Sequence, residues 1–330
     1  MPKHCIRMHD HEPEKIAASF AGNKRYLTFS HYLKKQFGEK VWKIPVHGEF
    51  TCPNRDGTRG TGGCLYCNNY GFSPDLIQQQ ATVENQIKAG IERIQEKRNV
   101  SKFIVYFQTY TNTYAPLAHL KHTYDAVLQF KEIVGMAIGT RPDCVDENIL
   151  DLLASYKPRL DVWIEYGLQS IHNRTLAAIN RGHTYEDFLH AIEITAGSGL
   201  KICIHVIIGL PGEAKSDILN TAVALSKLNF DAIKIHPLQV HTNTKLEAMH
   251  RQGKISLLSL KSYVDILCDF IELLPPTVVI QRLTAEAPDQ ILVAPDWCRN
   301  KMAVIAAIDA ELEVRKSWQG KRFIHHDSFQ

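Results

Sequence analysis

The stretch "TCPNRDGTRGTGGCLYC", residues 51–67, gathers three of the chain's eight cysteines, Cys52, Cys64 and Cys67, among four glycines and with no fourth cysteine beside them. It follows directly on "IPVHGEF" (44–50), an apolar run that reads as a strand. The C-x-x-C pair turns two sulfurs toward one metal. Three thiolates that converge leave one coordination position open, and an open position is where chemistry is done. On spacing alone two readings stand. One is a zinc knob completed by His47 or a distant cysteine; the other is an iron–sulfur cluster. A four-cysteine electron carrier needs its last ligand from Cys144, Cys203, Cys268 or Cys298, all far away in sequence.

Outward from this loop, short apolar runs alternate with amphipathic stretches. Strands are predicted at 44–50, 103–109, 134–140, 161–168, 201–210 and 232–240, most of them rich in Val, Ile, Tyr and Phe as strands buried on both faces are. Helical spacing links Val83, Ile87, Ile91 and Ile94 after a Thr82 cap, and Leu117, Leu120, Tyr124 and Leu128; a capping box opens at Thr184. Six strand–helix units in series imply a parallel sheet with right-handed crossovers, either open and doubly wound or a partial barrel. In both, binding residues collect at the carboxyl ends of the strands. Beyond residue 250 a long helix from Leu260 to Ile271, a strand within 277–288 and a helix over 299–315 suggest an extension packed on the sheet.

The 330 residues are 45% hydrophobic, an ordinary soluble composition with material for a large core. No run of about 18 apolar residues suits a membrane span. The polar N-terminus lacks an apolar signal core, so the expected location is the cytoplasm. In a reducing compartment, grouped cysteines read as metal or redox ligands. The net charge of +3 is uneven: residues 1–45 carry +5 and the remainder −2. Tyr26, Phe29, Tyr32, Phe37 and Trp42 interleave with those bases, a pattern that suits RNA but equally a solvated helix face with its aromatics on the core.

The chain resembles radical S-adenosylmethionine (SAM) enzymes, and among them the YhcC/YtqA type related to the Elongator catalytic subunit. The resemblance covers about residues 25–320 and rests on "CPNRDGTRGTGGCLYC", "YFQTYTNTYAP", "GTRPDC", "WIEYGLQS", "NRGHTYEDF", "IIGLPGE", "KIHPLQV" and "RLTAEAP" in order. It implies an α/β fold, a partial (β/α)6 TIM-like barrel, with a basic N-terminal extension (1–42), a core barrel (43–245) and a C-terminal extension (246–330). It implies a [4Fe–4S] cluster on Cys52, Cys64 and Cys67, with SAM on the fourth iron, cleaved to a 5′-deoxyadenosyl radical that abstracts hydrogen.

By the same resemblance, Gln108, Thr109 and Thr111 receive the SAM amino group, here without the usual glycine pair. Glu165, ending the fourth strand, accepts from the ribose hydroxyls, and Arg181 pairs with the SAM carboxylate. Gln169 and Ser170 polarise the same rim, and Gly209 lets backbone approach the adenine. Read without the resemblance, Glu165 is an ion-paired barrel carboxylate, Arg181 a surface cap, and Arg141 with Asp143 a mutual ion pair. His205 and His236 are core histidines or face the barrel lumen; Cys144 and Cys203 are buried small apolar groups.

The implied activity is a radical SAM enzyme that remodels a C5 aminomethyl-type side chain on the wobble uridine of tRNA. An electron donor such as flavodoxin or ferredoxin is implied as a partner, and no membrane. In this reading the +5 segment contacts tRNA phosphates while the base enters the barrel mouth. The alternatives are a radical SAM enzyme for a small metabolite or protein side chain, and a non-catalytic zinc- or cluster-binding RNA module.

Overall fold

A computed structural model of the chain describes residue 20, residues 22–68 and residues 81–324. Its centre is a seven-stranded, wholly parallel sheet in the order β1-β2-β3-β4-β5-β6-β8, curled into a partial barrel. The strands are β1 (Val41–Val46), β2 (Lys102–Phe107), β3 (Ile133–Thr140), β4 (Asp161–Gln169), β5 (Lys201–Ile208), β6 (Ala232–Pro237) and β8 (Val279–Arg282); β7 (Val240–His241) pairs with β9 (Leu292–Ala294) to one side. Ten helices accompany them among the described residues: α1 (Phe29–Phe37), α2 (Val83–Lys97), α3 (Leu117–Asp125), α4 (Glu147–Ser155), α5 (Asn173–Ala178), α6 (Tyr185–Ala196), α7 (Lys215–Leu225), α8 (Lys245–Arg251), α9 (Leu260–Leu273) and α10 (Lys301–Val314). None is long and apolar enough to cross a membrane.

Side-chain alternation along the strands sets what faces where. On β4, Ile164, Tyr166 and Leu168 pack outward under the helices, in one core with Phe103, Val105, Ile202, Ile204 and Ile235. The opposite parity, Trp163, Glu165, Gly167 and Gln169, points into the lumen, where Trp163 packs with Ile104, Ala137, Cys203 and Ala232. The expected helix starts are present: Thr82 caps α2, and the Thr184–Asp187 capping box opens α6. Six core strands were expected; the seventh, β8, comes from the segment expected as an extension. α9 crosses back over the sheet as the earlier helices do and delivers β8 parallel to β6.

The described part of the basic segment lies at one end of this barrel. Lys102, Asp161 and Lys201 begin their strands, and α1 lies against them: Lys102 Nζ donates to the Phe37 carbonyl at 3.0 Å, Lys201 to the Tyr32 hydroxyl. Phe29 and Tyr32 meet the Trp163 ring edge-on at 5.8 and 5.7 Å, and Leu33 is buried beneath them. So α1 closes the amino-terminal end of the barrel, the end opposite the cysteine loop, and its aromatics are core. Segments distant in sequence are stitched together here: Ile280 N donates to Leu27 O (2.8 Å), Leu27 N to Gln319 Oε1 (2.9 Å), and Lys24 pairs with Asp309. Residues 1–19 of the basic segment lie outside the described residues.

Candidate active site

A cavity of about 270 Å³ opens at the carboxyl ends of the strands and descends into the lumen. Cys52, Cys64 and Cys67 line its rim, with Gln108, Thr109, Thr111, Arg141, Gln169 and Arg181; Tyr106, Glu165, His205, Lys234, His236 and Arg282 line its floor. Three cysteines from one loop, and six of the seven residues expected at the cofactor, therefore share one space. Gly209 is the exception. It holds a left-handed turn (φ 92°) whose missing Cβ would press on Leu258, and it does not line the cavity.

The loop is shaped by its own backbone and by one turn elsewhere. Arg59 N and Gly63 N donate to Pro53 O and Asn54 O, each at 2.8 Å. Gly63 is left-handed (φ 72°), and a Cβ there would lie 2.9 Å from the Arg55 guanidinium, so glycine is required. Asn180 Nδ2 donates to Gly63 O at 2.8 Å, Leu65 N donates to Ile179 O at 3.0 Å, and Asn54 Nδ2 reaches back to Asn180 O at 2.5 Å. The "NRGH" motif is thus the cradle of the cysteine loop, and Arg181 is its centre.

Arg181 is buried, and Nε and Nη2 donate to the Gly167 carbonyl at 3.2 and 2.6 Å. Its Nη1 lies 3.6 Å from Cys64 Sγ, and Asn54 Nδ2 lies 3.7 Å from the same sulfur. Gly167 makes this possible, because a Cβ there would sit 2.6 Å from Nη2. Arg55 stands beside Cys67 and Cys52, and Arg141, held in two 2.8 Å bonds by Asp143, beside Cys52. Burial pushes the Cys67 thiol up, and the neighbouring Cys64 and Cys52 add to this, against the pull of Arg55. That mutual repulsion is a measure of how the three sulfurs converge. Three guanidiniums around three thiols suit thiolate ligands, and donors at sulfur tune a cluster's potential.

Tetrahedral zinc with Zn–S near 2.3 Å needs sulfurs about 3.8 Å apart. Among the described residues only Glu165, Cys203 and His205 bring three ligand atoms within 4.8 Å of one another. Cys52, Cys64 and Cys67 share one rim without forming so compact a group, and three thiolates from one loop suit a cluster that takes one thiolate per iron. His47, the other proposed zinc ligand, bonds Thr109 Oγ1 through Nδ1 at 2.9 Å.

Glu165 stands mid-strand and fully buried, deeper than its expected position at the strand end. Lys43 Nζ donates to Oε1 at 3.0 Å; His205 Nε2 (2.8 Å) and Lys234 Nζ meet Oε2. The buried Tyr106 hydroxyl stands against the same carboxylate, so Glu165 is enclosed by two lysines, a histidine and a tyrosine. Burial alone would raise the Glu165 pKa, but Lys234, Lys43 and His205 overcome it and hold it well below the usual range. Burial and the Lys43 charge bring Lys234 down to about 7 against the pull of Glu165. His205, buried beside Lys234, falls to about 4, and His183, buried beside Arg181, also falls. Both stay neutral in the folded protein while the unfolded chain takes up protons below about pH 6.5, so stability falls as pH drops from about 6.5 to about 4. Urea midpoints across that window check this; a flat profile refutes it.

Sequence reasoning passed over Asn54, Asn180, Lys234 and Arg282, and counted Lys43 only as surface charge. One signal was available: Lys234 interrupts an apolar strand on the same parity as His236.

The Radical SAM superfamily matches residues 55–225, and the Radical_SAM C-terminal domain matches residues 230–314. The uncharacterized protein YtqA of Bacillus subtilis is 38% identical over 307 residues, 91% of this chain and 93% of YtqA. The tRNA uridine(34) acetyltransferase of Methanocaldococcus infernus is 28% identical over 164 residues, 48% of this chain and 30% of that protein. In structure, the Elp3 protein of the same archaeon superposes with a TM-score of 0.66 at 18% identity, over 84% of this chain and 64% of that one, which is likeness of fold. With its thiol loop over a curled parallel sheet, this chain belongs to the radical SAM superfamily, an enzyme family that works with a [4Fe–4S] cluster and S-adenosylmethionine.

Proposed function

We propose that this protein is a tRNA-modifying radical SAM enzyme acting on the C5 aminomethyl-type side chain of a wobble uridine, with a carboxymethylaminomethyl group as the form remodelled. The observation that carries the radical SAM part is the set of three cysteines from one loop at the rim of a cavity with a polar floor. The RNA part draws on the similarity to a tRNA uridine(34) acetyltransferase.

Cys52, Cys64 and Cys67 are assigned to the cluster. Gln108, Thr109, Thr111 and Gln169 are assigned to SAM, and Glu165 to its ribose. Arg181 is assigned to Cys64 and to the SAM carboxylate, since Nη1 is aimed at the sulfur rim. When bound, cluster and cofactor supply one-electron chemistry that removes hydrogen from an unactivated carbon. The chain's own part is to orient: Gly167 O fixes the Arg181 fork, and the Asn54–Asn180 contacts hold the loop over the lumen and keep water out.

The RNA contacts are assigned to the mouth. Arg59 and Lys245 are exposed on or beside the cysteine loop. The lysines Lys34 and Lys35, on α1 at the closed end, face away from it. An anticodon base is already unpaired, so drawing it into the lumen costs only a few kcal/mol. Mass spectrometry of tRNA nucleosides from a strain lacking the gene tests the reading. The carboxymethylaminomethyl form should accumulate and disappear when the gene is restored; an unchanged nucleoside profile points instead to a small-molecule or protein substrate.

A further inference from the structure

Around Glu165, at the base of the cavity, positive groups outnumber negative ones; the other carboxylate lining the cavity, Glu286, is already paired with Lys301 at 2.8 Å. Lys43, Lys234 and Arg282 gather around one carboxylate, and both lysines are engaged with Glu165. Arg282 is in register with Lys234 across β6 and β8, is half-buried and lines the cavity. Among the described residues its guanidinium makes no hydrogen bond or ion pair. Next to it, Gln281 Oε1 accepts from Lys43 Nζ at 2.8 Å, while its Nε2 is buried without a hydrogen-bond partner. His236, whose ring lies 5.8 Å from that of His205, is kept neutral by burial and by Arg282.

Desolvated cations in excess of anions call for an anion to complete them. A free guanidinium offers a planar fork that fits a carboxylate in two parallel bonds. A metal ion does not suit this floor, because the carboxylate of the Glu165–Cys203–His205 group already carries two ammonium groups.

We propose that Arg282, assisted by Lys234 and His236, binds a carboxylate on the substrate, so that the enzyme selects an acidic side chain over the same molecule without its acid. The inference rests on the reading above for the end at which substrate enters and for the choice of probe. The unspent guanidinium is the specificity group, and the Lys43–Glu165 pair beneath it is the platform that holds Lys234 beside it.

The test is calorimetric titration of the cluster-loaded, SAM-bound protein with 5-carboxymethylaminomethyluridine and 5-aminomethyluridine. Each is offered as the free nucleoside and at the wobble position of an anticodon stem-loop. The carboxylate form should bind about ten- to a hundred-fold tighter in both formats, the range for one charged hydrogen-bonding group. Arg282→Gln should level the two probes, and Arg282→Lys should keep part of the preference. SAM affinity is measured on the same proteins; a loss of SAM binding in Arg282→Gln without a change in preference would give the guanidinium to the cofactor and overturn the proposal. Acid preference with no gain from the stem-loop supports the subsite and removes the RNA reading. Equal binding of the two probes, or no binding of either nucleoside or stem-loop, overturns the subsite; two stem-loops bound equally well leave the RNA reading standing alone.

Discussion

Cys64→Ala yields a protein that folds but carries no four-iron cluster. Iron and acid-labile sulfide fall from about four each per chain to near zero after anaerobic reconstitution, and reductive SAM cleavage falls to background. The effect is this large because a three-thiolate site has no spare ligand. Cys144 bonds Asp143, and Cys203 is buried among lumen side chains, so neither can substitute. Folding survives because the loop is held by Asn180, Ile179 and its own backbone, with no covalent tie between cysteines. Cys298→Ala, at a buried cysteine outside the loop that does not line the cavity, serves as the control with full iron. A Cys64→Ala protein that kept its iron, its brown colour and SAM cleavage would remove Cys64 from the cluster.

Glu165→Gln has the largest expected effect on stability. It leaves Lys43 and Lys234 facing each other in the lumen with no compensating charge. Breaking one side of a buried pair costs about 3–5 kcal/mol, a large part of the stability margin of an ordinary domain. The denaturation midpoint should fall accordingly while the reconstituted iron content of the folded fraction stays unchanged. Adding Lys234→Met should return part of the loss, because the second substitution removes a charge the first has stranded. A loss under about 1 kcal/mol would mean that water reaches the lumen and screens these charges.

The sheet was readable because its strands are short apolar runs of β-branched and aromatic residues, and each expected run overlaps an observed strand. The site was half readable. The cysteine loop and the rim residues sit in local motifs, and the structure gathers them into one cavity. The floor was hidden because its contacts join positions far apart: Lys43 meets Glu165 across 122 residues, and Lys234 meets it across 69. Local pattern can say that a lysine interrupts a strand, but not which carboxylate it will meet. The role of α1 was hidden for a similar reason. Its periodicity shows that one face is buried; only the barrel's closure shows that this face seals the end away from the mouth.

That seal has a consequence for how the chain is made. Leu27 waits for Ile280 and Gln319, and Lys24 waits for Asp309. On the ribosome, α1 therefore has no complete berth until residues 280–319 have emerged. Until then the nascent barrel is a tube open below as well as above, with its lysines and glutamate in water. Contacts of this sequence separation form slowly, so a late intermediate with an open base should accumulate on refolding. In the cell, that interval is when chaperones would meet the protein, and when iron could enter from either end.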